Sequence, residues 1–166
     1  MATRSTIALE YADGTVGQIY CHWDGYLEHN GKILQEHYDS AKANNLVALG
    51  DISSLGTKIG EVHPFSPYDS KEDKVAYEAA QEAGWTTFYG RDRGETGVEF
   101  TCHSDFTSFL EQCDSGGVEY YYIMRDGVWY CGTTYESDAK LGSRLVPLAE
   151  ALADHDIEHS EEMTAA

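Results

Sequence analysis

Positive charge is what this chain of 166 residues has least of: 11 Lys and Arg stand against 29 Asp and Glu, a formal balance of -18. The Coulomb terms that draw basic proteins to nucleic acid and to anionic membranes repel this one, so direct nucleic-acid binding is disfavoured. Long apolar runs are missing too, none approaching the roughly 18 residues that cross a bilayer. Cysteine is sparse, with Cys21, Cys102, Cys113 and Cys131 spread through a chain longer than the disulfide-stapled miniproteins. The opening Met-Ala-Thr-Arg-Ser-Thr is unlike a secretory signal, so reduced thiols and a cytoplasmic location are expected. There is no C-x-x-C, no H-E-x-x-H, no Walker loop and no dinucleotide fingerprint, and nothing calls for a cofactor or a metal. The missing catalytic signature points to a binding protein rather than an enzyme.

What is present is enough for a core. Hydrophobic residues make up 42% of the chain and run from end to end, which at this length predicts one globular domain over 1–155. Beyond Arg144 there is no Lys or Arg, while Glu150, Asp154, Asp156, Glu158, Glu161 and Glu162 follow, so 156–166 reads as an acidic, frayed tail.

Local patterns predict an opening β-hairpin, Thr6 to Tyr11 and Thr15 to Trp23 about Ala12-Asp13-Gly14. Two short helices follow, the second capped by Asp39 or Ser40 and ended by Gly50. Asp51 to Ser70 reads as loop, and Ser70 as the cap of a helix over Lys71 to Ala83 that ends at Gly84. Trp85 to Tyr89 suits a strand, Gly90 to Gly97 a turn, Val98 to Thr101 a short strand and Asp105 to Cys113 a helix stopped by Ser115-Gly116-Gly117. The clearest unit is a hairpin, Val118 to Met124 and Val128 to Thr134 about Arg125-Asp126-Gly127. From Ala139 a leucine stripe predicts a helix with a kink or late start at Pro147. Hairpins with inserted helices imply an α+β fold, an antiparallel sheet of about five strands covered by helices.

Four groups of side chains could carry chemistry. Cys21-His22-Trp23-Asp24 and Cys102-His103-Ser104-Asp105 share a C-H-x-D pattern with zinc-ligand chemistry, yet neighbours on a strand point to opposite faces and do not readily share an ion. Arg91 and Arg93 sit in a glycine-flanked segment where guanidinium forks could clamp a phosphate or a nucleotide, or instead pair with Asp92 and Glu95 and hold the loop. In Tyr120-Tyr121-Tyr122, alternation sets Tyr120 and Tyr122 on one face, and tyrosine favours protein interfaces. The carboxylates Glu150, Asp154, Asp156 and Glu158, with Tyr120 and Tyr122, form the expected partner-binding set.

The strings TRSTI (Thr3 to Ile7), YCHWDGY (Tyr20 to Tyr26), GDISSLG (Gly50 to Gly56) and FYGRDRGE (Phe88 to Glu95) resemble, in this order, a family of small accessory proteins of tailed bacteriophages and prophages. The resemblance implies action in an infected bacterial cytoplasm and carries no catalytic or binding residues with it. Small acidic proteins of this kind can imitate DNA: about 40 Å of duplex, the width of a globule this size, carries on the order of 24 charges. The expected partner is a basic, nucleic-acid-binding host or defence protein such as a CRISPR effector, restriction enzyme or other nuclease. The competing expectation is a nucleotide-binding module built on the Arg91/Arg93 segment.

Overall fold

The computed structural model describes residues 2–64, 70–115, 117–133 and 145–165, with the side chains of 114, 115 and 157–165 outside the described set. Two hairpins make its centre. Strands β1 (Ser5–Glu10) and β2 (Val16–Cys21) pair antiparallel with Ile7 opposite Ile19. Their three-residue loop closes through Tyr11 N–H to the Thr15 carbonyl at 2.8 Å, with Gly14 at φ +87° supplying the left-handed position.

Two further strands, β3 (Ile52–Ser54) and β4 (Thr87–Phe88), build outward from β2, and β5 (Thr101–His103) pairs with the other half of the same β2 edge. The second hairpin joins β6 (Tyr120–Arg125) to β7 (Val128–Thr133) through Asp126 at φ +50° and Gly127 at φ +78°, the paired left-handed residues of a type I′ turn. Strand β8 (Val146–Pro147) completes an eight-stranded sheet ordered β4-β3-β2-β1-β6-β7-β8. Because β6 lies parallel to β1, from Ser5 opposite Tyr120 to Leu9 opposite Met124, both hairpin turns emerge at the same end of the sheet.

Helices cover both faces. A π-helical turn (Leu27–Gly31) runs into α1 (Lys32–His37), and α2 (Ser40–Ala48) starts at Asp39, whose carboxylate accepts the Lys42 N–H at 2.9 Å. These pack with α6 (Leu148–Ala165) on the face of Ile7, Ile19, Tyr122 and Trp129. On the other face α5 (Phe106–Ser115) sets Phe109 and Cys113 against Ala8, Val16, Tyr121 and Ile123. Helix α3 (Lys71–Glu82) is capped by Ser70, whose hydroxyl accepts the Asp73 N–H, and it buries little beyond Ala80.

The α+β class stands, with eight strands in place of the expected five. Ile52–Ser54 is a strand inside the expected loop, and its pairing is parallel to β2, which no turn signal announces. The expected turn from Gly90 contains instead one helical turn, α4 (Tyr89–Arg93). Asp92 Oδ2 accepts the Phe88 N–H at 2.8 Å at its start, and Gly94 at φ +74° ends it, with Glu95 N–H on the Tyr89 carbonyl. The strand before it shrinks to Thr87–Phe88, and the one after it moves to Thr101–His103. Helix α6 begins directly after Pro147, which cannot donate to a preceding turn. The stripe from Ala139 to Arg144, Gly116 and residues 65–69 of the expected loop lie outside the described residues.

Candidate functional site

The carboxylates of α6 divide by helical geometry. Glu150 and Asp154, four residues apart, share an exposed stripe, whereas Asp156 projects about 200° round the axis from Asp154. Ala151 and Leu152 pack inward, and His155 Nε2 meets Glu28 Oε1 at 2.6 Å, tying α6 to the π-helical turn. Asp156 therefore faces a cleft of about 490 Å³ lined also by Glu28, Lys32 and Glu36. Glu158 lies on the same helix, its side chain outside the described set.

Glu36 also borders a second concavity, about 510 Å³, between α1, the start of α2 and the β6–β7 turn, with Asp39, Met124, Gly127 and Trp129 in its walls. A third, about 350 Å³, shares Ser40, Met124 and Gly127 with the second and reaches Glu10 and Asp126 between the two hairpin turns. Neighbouring concavities share lining residues, Glu36 between the first two and Ser40, Met124 and Gly127 between the last two, and six carboxylates border them: Asp156, Glu28, Glu36, Asp39, Asp126 and Glu10. Four of these have partners inside the protein: Glu28 meets His155, Glu10 lies 3.2 Å from Arg125, Asp39 accepts the Lys42 N–H, and Glu36 lies 4.0 Å from His37. Among the described lining residues the sole Lys or Arg is Lys32.

Sequence reasoning missed most of this line, because Glu36, Asp39 and Asp126 come from three separate elements and acquire a common surface through the parallel placement of the hairpins. The four-residue spacing of Glu28, Lys32 and Glu36 was the available local signal.

Tyr122 is a correction to the partner-binding set. Its ring is 0% exposed and its hydroxyl donates to the Gly25 carbonyl at 2.6 Å, so it is a core strut and offers no surface. Tyr120, half-buried at the start of β6, lies four residues from Met124, about 13 Å away along the strand, and does not join the carboxylate line. Alternation did place Tyr120 and Tyr122 together, but Tyr121 on the opposite face is buried as well, under α5.

The expected ligand clamp is corrected too: of the two alternatives for Arg91, pairing with Asp92 is the one the structure shows. Its guanidinium has five N–H donors, and all five are spent inside the protein. Nε and Nη2 clamp the two oxygens of Asp92 at 2.8 and 3.1 Å, Nη1 reaches the carbonyls of Ile59 and Gly60, and Nη2 also reaches that of Thr86, each at 3.0 Å. Asp92, fully buried, further accepts the N–H groups of His63 and Phe88. The cluster locks the excursion between β3 and β4 onto the sheet and leaves no donor for a phosphate. Arg93 is exposed and sits 3.7 Å from Glu95.

The two C-H-x-D strings stay apart. Cys21 pairs with Ile52 and Cys102 with Gly17, so they lie about 13 Å apart along β2. Among the described residues no group of three or more His, Cys, Asp or Glu could hold a metal. The Cys21 thiol is buried, accepts from Asn30 Nδ2 at 3.3 Å and is pushed up to about 11 by desolvation, which makes it a poor nucleophile. His22 lies 2.7 Å from the Tyr20 hydroxyl, beside the exposed Trp23. Two hydrogen bonds join three of the four quoted strings in space as scaffold: Asp51 accepts the Tyr20 N–H at 2.9 Å where β2 passes from β5 to β3, and Gly25 N–H donates to the Thr3 carbonyl.

His103 carries a pH prediction. Burial lowers its pKa below 6.5, with Nε2 2.6 Å from Gln18 Oε1. A depressed folded pKa means that its contribution is present above 6.5 and is lost as pH falls through the folded value. An NMR titration is expected to place its midpoint below 6.5. A midpoint at or above that value would remove the argument.

Comparison of the chain with known protein families, with curated proteins and with solved structures finds no match. Among the described residues no helix is long and apolar enough to cross a membrane.

Proposed function

We propose that this protein is a phage accessory protein that binds the basic, nucleic-acid-binding surface of a bacterial host or defence protein and keeps DNA from it, acting in the infected cytoplasm. The observation that carries the reading is the line of carboxylates along three joined concavities, met by Lys32 as the one lining Lys or Arg among the described residues. A net charge of -18 alone serves solubility equally well. Carboxylates gathered from four parts of the chain onto one surface are what a groove lined by Lys and Arg would recognise in place of phosphates. Glu150 and Asp154 extend the negative surface along the outer stripe of α6. The phage setting rests on the four strings quoted above, the inhibitory role on the charge.

The reading predicts that the protein displaces duplex DNA from a nuclease or restriction enzyme in a gel-shift panel, and that displacement weakens as salt rises. Neutralising four carboxylates together, Glu28→Gln, Glu36→Gln, Asp154→Asn and Asp156→Asn, is expected to weaken it about tenfold, since each exposed pair contributes about 0.2–1 kcal/mol. No displacement across a panel covering CRISPR effectors, restriction enzymes and repair nucleases would overturn the proposal. The nucleotide-binding alternative has lost its first arginine to Asp92 and is not carried further.

A further inference from the structure

We infer that the groove between the two hairpin turns and the α1–α2 corner is a docking groove for an extended, Lys- or Arg-bearing segment of a protein partner. The inference rests on the proposed function and assigns the gripping part of that surface.

The groove consists of the second and third concavities, about 510 and 350 Å³, each within the range of ligand-binding clefts. They share Ser40, Met124 and Gly127, so the depression is longer than one side chain needs. At its base lie Met124 and Trp129, each 4% exposed, and the indole N–H is already given to the Tyr38 carbonyl at 2.9 Å, while Val128 adds an exposed apolar wall. Ser40 Oγ is likewise turned to Met124 Sδ at 3.4 Å. Exposed Glu36, Asp39 and Asp126 stand on the rim. Among the described residues that line these two cavities none is Lys or Arg. The nearby Lys42 is committed to the Thr57 carbonyl.

This combination selects the occupant. The apolar side chains in the lining, Met124, Val128 and Trp129, accept the methylene stem of Lys or Arg, and the rim carboxylates accept the charged head, which is how amphipathic side chains divide between dry and wet surroundings. A neutral apolar peptide would desolvate the rim carboxylates without bringing them a positive charge, at a cost. An acidic one would be repelled. The length of the groove favours a segment with consecutive residues in contact over a single cation.

The test is a titration of the isotope-labelled protein with a hexapeptide of alternating Arg and Gly, followed by NMR. A Glu-Gly hexapeptide and spermidine serve as comparison arms. Shifts are expected to centre on the Gly127 amide, the Trp129 indole N–H and the Met124 methyl. Glu36→Gln with Asp126→Asn should weaken binding at least fivefold. These replacements are isosteric, and Asn tolerates the positive φ at 126. Glu78→Gln with Glu82→Gln, exposed on α3 and outside the groove, should change it less than twofold. Asp39 is left intact because it caps α2. Shifts spread evenly over all acidic surfaces, binding unchanged in the Glu36/Asp126 variant, or spermidine matching the peptide at the same residues would each overturn the inference. The measurement contains no DNA-binding enzyme, so the two readings fail separately. Peptide binding with no DNA displacement overturns the proposed function, and DNA displacement without groove shifts overturns this inference.

Discussion

Alanine at Asp92 is expected to cost about 3–5 kcal/mol of folding stability, the range for removing one partner of a buried ion pair. The carboxylate is fully buried, and the Arg91 side chain that clamps it is 12% exposed. Removing the acid strands two guanidinium N–H groups together with the backbone N–H groups of Phe88 and His63, in a place water hardly reaches. Asp92→Asn should cost less, because the amide oxygen retains one acceptor. Urea denaturation with circular dichroism reads the effect as a lowered midpoint at constant slope. A loss under 1 kcal/mol would show that the cluster does not hold the excursion between β3 and β4. The same chemistry decides how Arg91 variants are to be read. Arg91→Ala should destabilise the protein with or without nucleotides present, and Arg91→Lys should not restore it, since an ammonium cannot reproduce the bidentate fork or reach three carbonyls at once.

Alanine at Gly132 is expected to cost about 1–3 kcal/mol through overpacking. Gly132 stands opposite Tyr121 on β6, and a Cβ there would meet the Tyr121 Cζ and hydroxyl oxygen well short of any van der Waals distance. The ring cannot retreat: it is 0% exposed and packs edge-on against Phe109, with centroids 6.2 Å apart. The glycine is therefore required by a neighbour rather than by its own backbone angle. Tyr121→Val in the same chain should recover part of the loss, so the double variant should be more stable than the sum of the single effects predicts. Strict additivity in thermal or urea unfolding would show that the ring and the glycine do not share that space.

The elements legible in the chain were those whose causes are local. Asp126-Gly127 can take two positive φ angles in succession, so the β6–β7 hairpin needed no distant partner to be recognised. Asp39 and Ser70 cap their helices through N–H groups three residues on, a distance that periodicity and residue type encode together. Strand β3 escaped, and β4 and β5 were expected with other bounds, because each is two or three residues long and is defined by pairing with a strand far off in the chain. The internal use of Arg91 was one of two alternatives while its carbonyl partners, 31 and 32 residues earlier, had no known position.

By itself the sequence determined the α+β class, the two hairpins, the capped helices, the alternation of the tyrosines and the acidity, all of which follow from residue type and short-range spacing. The tertiary structure decided what those parts can do. The parallel docking of β1 against β6 brought two turns to one end of the sheet, and the seating of α6 beside Glu28 set Asp156 in line with Glu36. It also withdrew Tyr122 and Arg91 from the surface. The physical reason is that carboxylates repel one another and encode no mutual contact in a linear chain. Their alignment is imposed by apolar packing beneath them, a property of the folded sheet and its helices.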